Sequence, residues 1–75
     1  MKQLVEYIVR GLVDQPEEVA VTETRRGGAV ILELRVAPDD MGRVIGKSGR
    51  VANSIRSLLR VVAAKDGTRV TLDIL

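Results

Sequence analysis

Between Val30 and Val36 the chain alternates with a period of two: Val30, Leu32, Leu34 and Val36 fall on one side of an extended backbone, and Ile31, Glu33 and Arg35 on the other. That period belongs to a strand with one face on a core. The segments around it follow other rules. In residues 3–14, Leu4, Val5, Ile8 and Leu12 recur at helical spacing, with Val9 and Val13 widening the stripe. Pro16 cannot continue such a helix and biases Gln15 away from helical backbone, so the helix is expected to stop near Asp14. From Val19 to Thr24, β-branched and acidic residues alternate roughly, which reads as a second strand. Arg25-Arg26-Gly27-Gly28 then supplies a turn, and the two strands make a hairpin.

Pro38-Asp39-Asp40 signals a helix start, with Asp39 the expected N-cap and Asp40 suited to the positive end of the dipole. The short helix that follows is expected to turn Met41, Val44 and Ile45 inward, and it is interrupted at Gly46-Lys47-Ser48-Gly49. A longer helix from about Arg50 to Ala64 carries Val51, Ile55, Leu58, Leu59 and Val62 on one face. After a turn at Asp66-Gly67, alternation resumes and places Val70, Leu72 and Ile74 inward. The order is α-β-β-α-α-β, with no linker, low-complexity stretch or repeat. The expected architecture is α+β: a three-stranded sheet with three helices packed on one face, and residues 1–75 forming a single domain. Tyr7, just off the first helix's stripe, is expected at the core edge.

Composition narrows the function classes. There is no Cys, which excludes disulfides and thiolate metal sites and fits a reducing cytoplasm, and no His, the commonest general base and metal ligand. No apolar run approaches the roughly 20 residues that span a bilayer, and the N-terminus lacks the order of a signal peptide. Charge is unevenly placed. Residues 1–40 hold eight acids and five bases, whereas residues 41–75 hold seven bases and two acids. A basic second half points to a polyanion. One Tyr with no Phe or Trp rules against aromatic base-stacking platforms, so a nucleic-acid reader built from this chain works through backbone contacts and aliphatic surface.

The segment Val44-Ile45-Gly46-Lys47-Ser48-Gly49-Arg50 resembles the I-G-x-x-G signature of KH domains, and the element order resembles the type II variant of that fold. Asp14-Gln15-Pro16-Glu17-Glu18-Val19 and Gly42-Arg43-Val44-Ile45-Gly46-Lys47 are similar to the small single-domain bacterial proteins of the KhpA family. The resemblance covers the whole chain. It implies single-stranded RNA binding, with the G-x-x-G loop clamping the RNA backbone. The residue types suit that task. Gly46 and Gly49 let the loop backbone approach phosphates, Lys47 supplies a flexible cation, and Ser48 a hydroxyl donor. Arg43 and Arg50 flank the loop as further phosphate partners. Gly42 and Gly46, four apart, are expected to leave bare backbone on which a base lies flat, bordered by Val44 or Ile45. A phosphate loop is the enzyme competitor to Gly46-Lys47-Ser48, but it needs four residues between its glycines and Gly42 to Gly46 leaves three.

Elsewhere, Asn53, Arg56 and Arg60 share a flank of the long helix, either contacting phosphates or forming an ordinary solvated face. Ser54, Ser57, Val61 and Ala64 line a third face, a small-residue strip expected to pack on a second copy in a homodimer. The family resemblance implies association of this kind, a possible heterodimer with a larger Jag-type KH protein, and roles in post-transcriptional regulation, RNA chaperoning and cell elongation or division. Arg25-Arg26-Gly27-Gly28 is foremost a turn, with RNA contact from the groove's edge as its second reading. Asp39-Asp40 reads as helix capping and not as a metal site. No cofactor and no catalytic residue is expected. The competing reading is a KH-fold scaffold acting through a protein partner.

Overall fold

A computed structural model describes residues 1–75. The order expected from the sequence is the order observed: α1 (Lys2–Arg10), β1 (Ala20–Arg26), β2 (Ala29–Arg35), α2 (Met41–Ile45), α3 (Arg50–Lys65) and β3 (Arg69–Ile74). Short 3-10 turns at Pro16–Glu18, Pro38–Asp40 and Lys47–Gly49 join some of these elements. The sheet order is β1-β2-β3, with β1 antiparallel and β3 parallel to the central β2. Register follows the hydrophobic pattern. Val21 faces Leu34 across the hairpin, and Leu32 faces Leu72 across the parallel pair, so each apolar row lies on the helix side. Val5 and Val9 of α1, Val44 of α2, and Ile55 and Leu59 of α3 close over those rows in one buried cluster. On the far face of the sheet Thr22, Thr24, Thr71 and Asp73 are exposed, and Ile31 and Glu33 of the central strand are half-buried.

Several local expectations give way to tertiary structure. The first helix ends at Arg10, not near Asp14; Gly11 weakens its continuation, and the amides of Asp14 and Gln15 donate instead to the two carboxylate oxygens of Asp40 at 3.1 and 3.0 Å. Asp40, 1% exposed, is the one buried charged residue, and Asp39 caps nothing. Asp40 alone therefore ties the loop after α1 to the start of α2. The hairpin zips further than expected: Arg26 pairs with Ala29, leaving Gly27 and Gly28 alone in the turn. Tyr7 is exposed and not at the core edge. On α2 only Val44 is buried, which leaves Ile45 and not Val44 to border a base; Met41 is half-buried and Ile45 exposed. On α3 the inward stripe is Ala52, Ile55, Leu59 and Ala63, rotated so that Leu58 faces out. Small alanines let α3 lie close to its neighbours, a preference that a count of large apolar residues overlooks.

Candidate nucleic-acid interface

The break between α2 and α3 has a backbone that few residues can adopt. Gly46 ends α2 at φ 76°, ψ 174°, with its N–H donating to the Gly42 carbonyl at 2.8 Å. Ser48 (φ 57°) and Gly49 (φ 76°) are both left-handed, an uncommon state for a serine and one often held at binding sites. Gly46 is also sterically required: a Cβ there would meet the Val51 side chain at 2.5 Å. Gly49 has room, the nearest contact being Asn53 Nδ2 at 3.7 Å, so its glycine serves conformation alone. The outcome is an exposed Lys47-Ser48 tip held between two fixed hinges, opening directly into the first turn of α3. The bare strip expected at Gly42 and Gly46 is half realised. Gly42 has open space above it, whereas the missing side chain of Gly46 admits Val51.

The flanking arginines differ. Arg50 is exposed and has no acidic partner. Arg43 is engaged: Nη2 donates to Asp14 Oδ2 at 2.8 Å, and Nε lies 3.4 Å from Asp40 Oδ1. On α3, Asn53 and Arg56 are joined at 3.4 Å, and Arg56 donates from Nε and Nη2 to the Leu72 carbonyl at 3.3 and 3.1 Å. That carbonyl lies on the edge of β3 that no strand covers. Between this edge and α3 runs a cleft of about 220 Å³, lined by Arg56, Leu59, Arg60, Val70, Thr71 and Leu72. The spacing of Asn53, Arg56 and Arg60 revealed a shared flank, but nothing local revealed that the flank would face an open strand edge.

The geometry so far is a strained basic loop feeding a cleft between a helix and a free strand. Residues 2–74 match the family described as KhpA/KhpB, KH domain. The chain belongs to that family. Among its KhpA relatives, the RNA-binding protein KhpA of Clostridium acetobutylicum is 51% identical over 75 residues, covering 100% of both chains. The protein of the same name from Halalkalibacterium halodurans is also 51% identical, covering 100% of this chain and 99% of its own. That of Treponema pallidum is 49% identical, covering 99% and 92%. The family is not an enzyme family. Among solved structures, Era in complex with MgGDPNP and nucleotides 1506–1542 of 16S ribosomal RNA superposes with a TM-score of 0.59 at 19% identity. The match covers 97% of this chain and 28% of Era, and at that identity the likeness speaks for the fold alone.

On this KhpA-type fold, Ser54, Ser57, Val61 and Ala64 are all exposed, with Val61 at 57%. Beside them, Ile8 of α1, Leu12 in the turn after it, and Val51, Ile55 and Leu58 from α3 line an apolar groove of about 380 Å³. No group of three His, Cys, Asp or Glu side chains is placed to hold a metal ion, and no helix is long and apolar enough to cross a membrane.

Proposed function

We propose that this chain binds single-stranded RNA, with Gly46, Lys47, Ser48 and Gly49 clamping the backbone and Arg50 taking an adjoining phosphate. One observation carries the reading: the only serine in left-handed backbone sits beside an unpaired lysine, between glycines at φ 76°, at the mouth of a long helix. Such a loop presents backbone amides and a hydroxyl to an anion, and the α3 dipole favours negative charge there. Relatives about half identical over the whole chain are named RNA-binding proteins, which supports the same reading. Past the clamp, the RNA follows Asn53 and Arg56 into the α3–β3 cleft. Ile45, exposed next to the loop, and open Gly42 give a base an aliphatic seat in place of an aromatic one. Arg43 contributes once a phosphate competes with Asp14.

The working form in this proposal is a homodimer through the outer face of α3. Exposed Leu58 and Val61 beside the apolar groove support it: a chain of this size has little core to spare, and a second copy would cover them. A larger Jag-type KH partner would use the same face. Two clamps raise avidity where one RNA reaches both, which suits post-transcriptional regulation or RNA chaperoning more than tight, sequence-specific recognition. Cytoplasmic residence fits a cysteine-free chain.

Fluorescence anisotropy with a labelled, unstructured RNA of about a dozen nucleotides tests the clamp. Lys47→Asp with Ser48→Asp, shown by circular dichroism to be folded, is expected to lose binding. Equal binding by both proteins would move the contact elsewhere. No binding by either, with dimerisation intact, would favour the scaffold reading.

A further inference from the structure

The cations of the second half do not stop at the clamp. Arg60 lines the α3–β3 cleft and also a second hollow of about 390 Å³, which continues past it and is bordered by Ala63, Ala64, Thr68 and Arg69. The two hollows share Arg60, Val70 and Thr71, so they form one trough along the free side of β3. At its far end Arg69 pairs in register with Ala29, which pairs with Arg26. Arg26 and Arg69 thus stand on the same sheet face with one strand between them, about 10 Å apart. None of Arg26, Arg60 and Arg69 has an acidic partner, whereas Arg10, Arg25 and Arg43 all do. Lys65, in the last turn of α3, is accounted for by the negative end of that helix. The other three are not.

We infer that Arg60, Arg69 and Arg26 form a second phosphate-binding site for the same RNA strand, at the end of the trough remote from the Gly46–Gly49 loop. The inference rests on the clamp reading and extends it. The sixteen residues of α3 separate the two ends by about 24 Å. A KH loop grips about four nucleotides, so a strand held at Lys47-Ser48 and running along α3 has to continue past Arg60 before its phosphates meet Arg69 and Arg26. Continuity with the clamp selects RNA over an acidic peptide, because one backbone then meets unpaired cations along the whole trough. The site would add affinity once the RNA is long enough to reach it, without adding base readout, since guanidinium groups at the sheet end meet phosphates and not base edges.

Salt dependence separates this site from the clamp. Binding of an unstructured tetramer and an unstructured decamer is measured over a range of salt concentrations for the wild type and for Arg26→Gln with Arg69→Gln. A decamer also binds more tightly by offering more registers, but register number does not alter the salt slope. The expected wild-type result is a decamer slope steeper than the tetramer slope by about 2.1, three phosphates at about 0.7 each. In the variant, which keeps Arg60, the difference should fall to about 0.7 while tetramer affinity stays unchanged. Equal slopes in the wild type, or a difference undiminished in the variant, would overturn the second site; the latter would assign the extra phosphates to another surface or to a second copy. Tetramer binding unaffected by Lys47→Asp with Ser48→Asp would instead overturn the clamp, a separate and distinguishable failure.

Discussion

Gly46 and Gly49 look equivalent in the motif and are not equivalent in the structure. Any side chain at Gly46 meets Val51 and must also hold φ 76°, so Gly46→Ala combines overpacking with backbone strain, about 3 kcal/mol together. Gly49→Ala carries strain alone, about 1 kcal/mol. Thermal unfolding should show the first variant melting about 10 °C or more below the wild type and the second only about 5 °C below. Equal losses would mean that Val51 yields readily. Arg43 offers a second residue-scale test. Its 2.8 Å contact with Asp14 competes with phosphate, so Asp14→Asn should tighten RNA binding by roughly two- to fivefold at low salt, an exposed pair being worth up to about 1 kcal/mol. Unchanged affinity in an anisotropy titration would remove Arg43 from the phosphate path.

At the scale of elements, two carboxylates fasten the helices to the rest of the fold. Asp40 accepts from the amides of Asp14 and Gln15 and pairs with Arg43, so Asp40→Ala leaves those donors stranded and should cost about 2–4 kcal/mol by urea unfolding. Glu23 accepts from Arg25 Nε at 3.1 Å and from the Lys2 amide at 3.2 Å, tying the start of α1 to β1. The Arg25 hydrogen bond, helped by the Lys2 amide and opposed by partial burial, holds its carboxyl below the ordinary value of 4.5. A carboxylate lowered on folding stabilises above its unfolded pKa, and that stability is lost as pH falls through the lowered value. Glu23→Gln should therefore be less stable than the wild type near neutral pH, and the gap should close below about pH 4. These contacts join residues distant in the chain, and local patterning does not encode them. Period and turn chemistry made all three strands, the three helices and the Gly46–Gly49 loop legible, because each depends on residues close in the chain. That α1 ends at Arg10 depends on Asp40, 25 and 26 positions beyond the amides it captures. The rotation of α3 that exposes Leu58 depends on how closely Ala52 and Ala63 approach their neighbours, which no helical wheel contains.

Taken as a whole, the molecule turns one side of α3 to the β3 edge and another, with Leu58 and Val61, to solvent. RNA on the first and a second copy on the other meet only at their margins, where Ala64 borders the trough and Arg50 the apolar groove. Val61→Asp should accordingly convert the proposed dimer to monomer in sedimentation equilibrium while leaving the affinity for a short RNA within about twofold, and reduce binding only of RNAs long enough to reach two clamps. A wild type that sediments as a monomer at high concentration would end the dimer proposal without touching the clamp. The clamp itself is tested most directly by following backbone amide resonances while a four-nucleotide RNA is added. The largest shifts are expected at Gly46, Lys47, Ser48, Gly49 and Arg50, smaller ones at Asn53 and Arg56, and none at Leu58 or Val61. Largest shifts on the outer sheet face or in the α1–α3 groove, with the 46–50 loop unmoved, would contradict it.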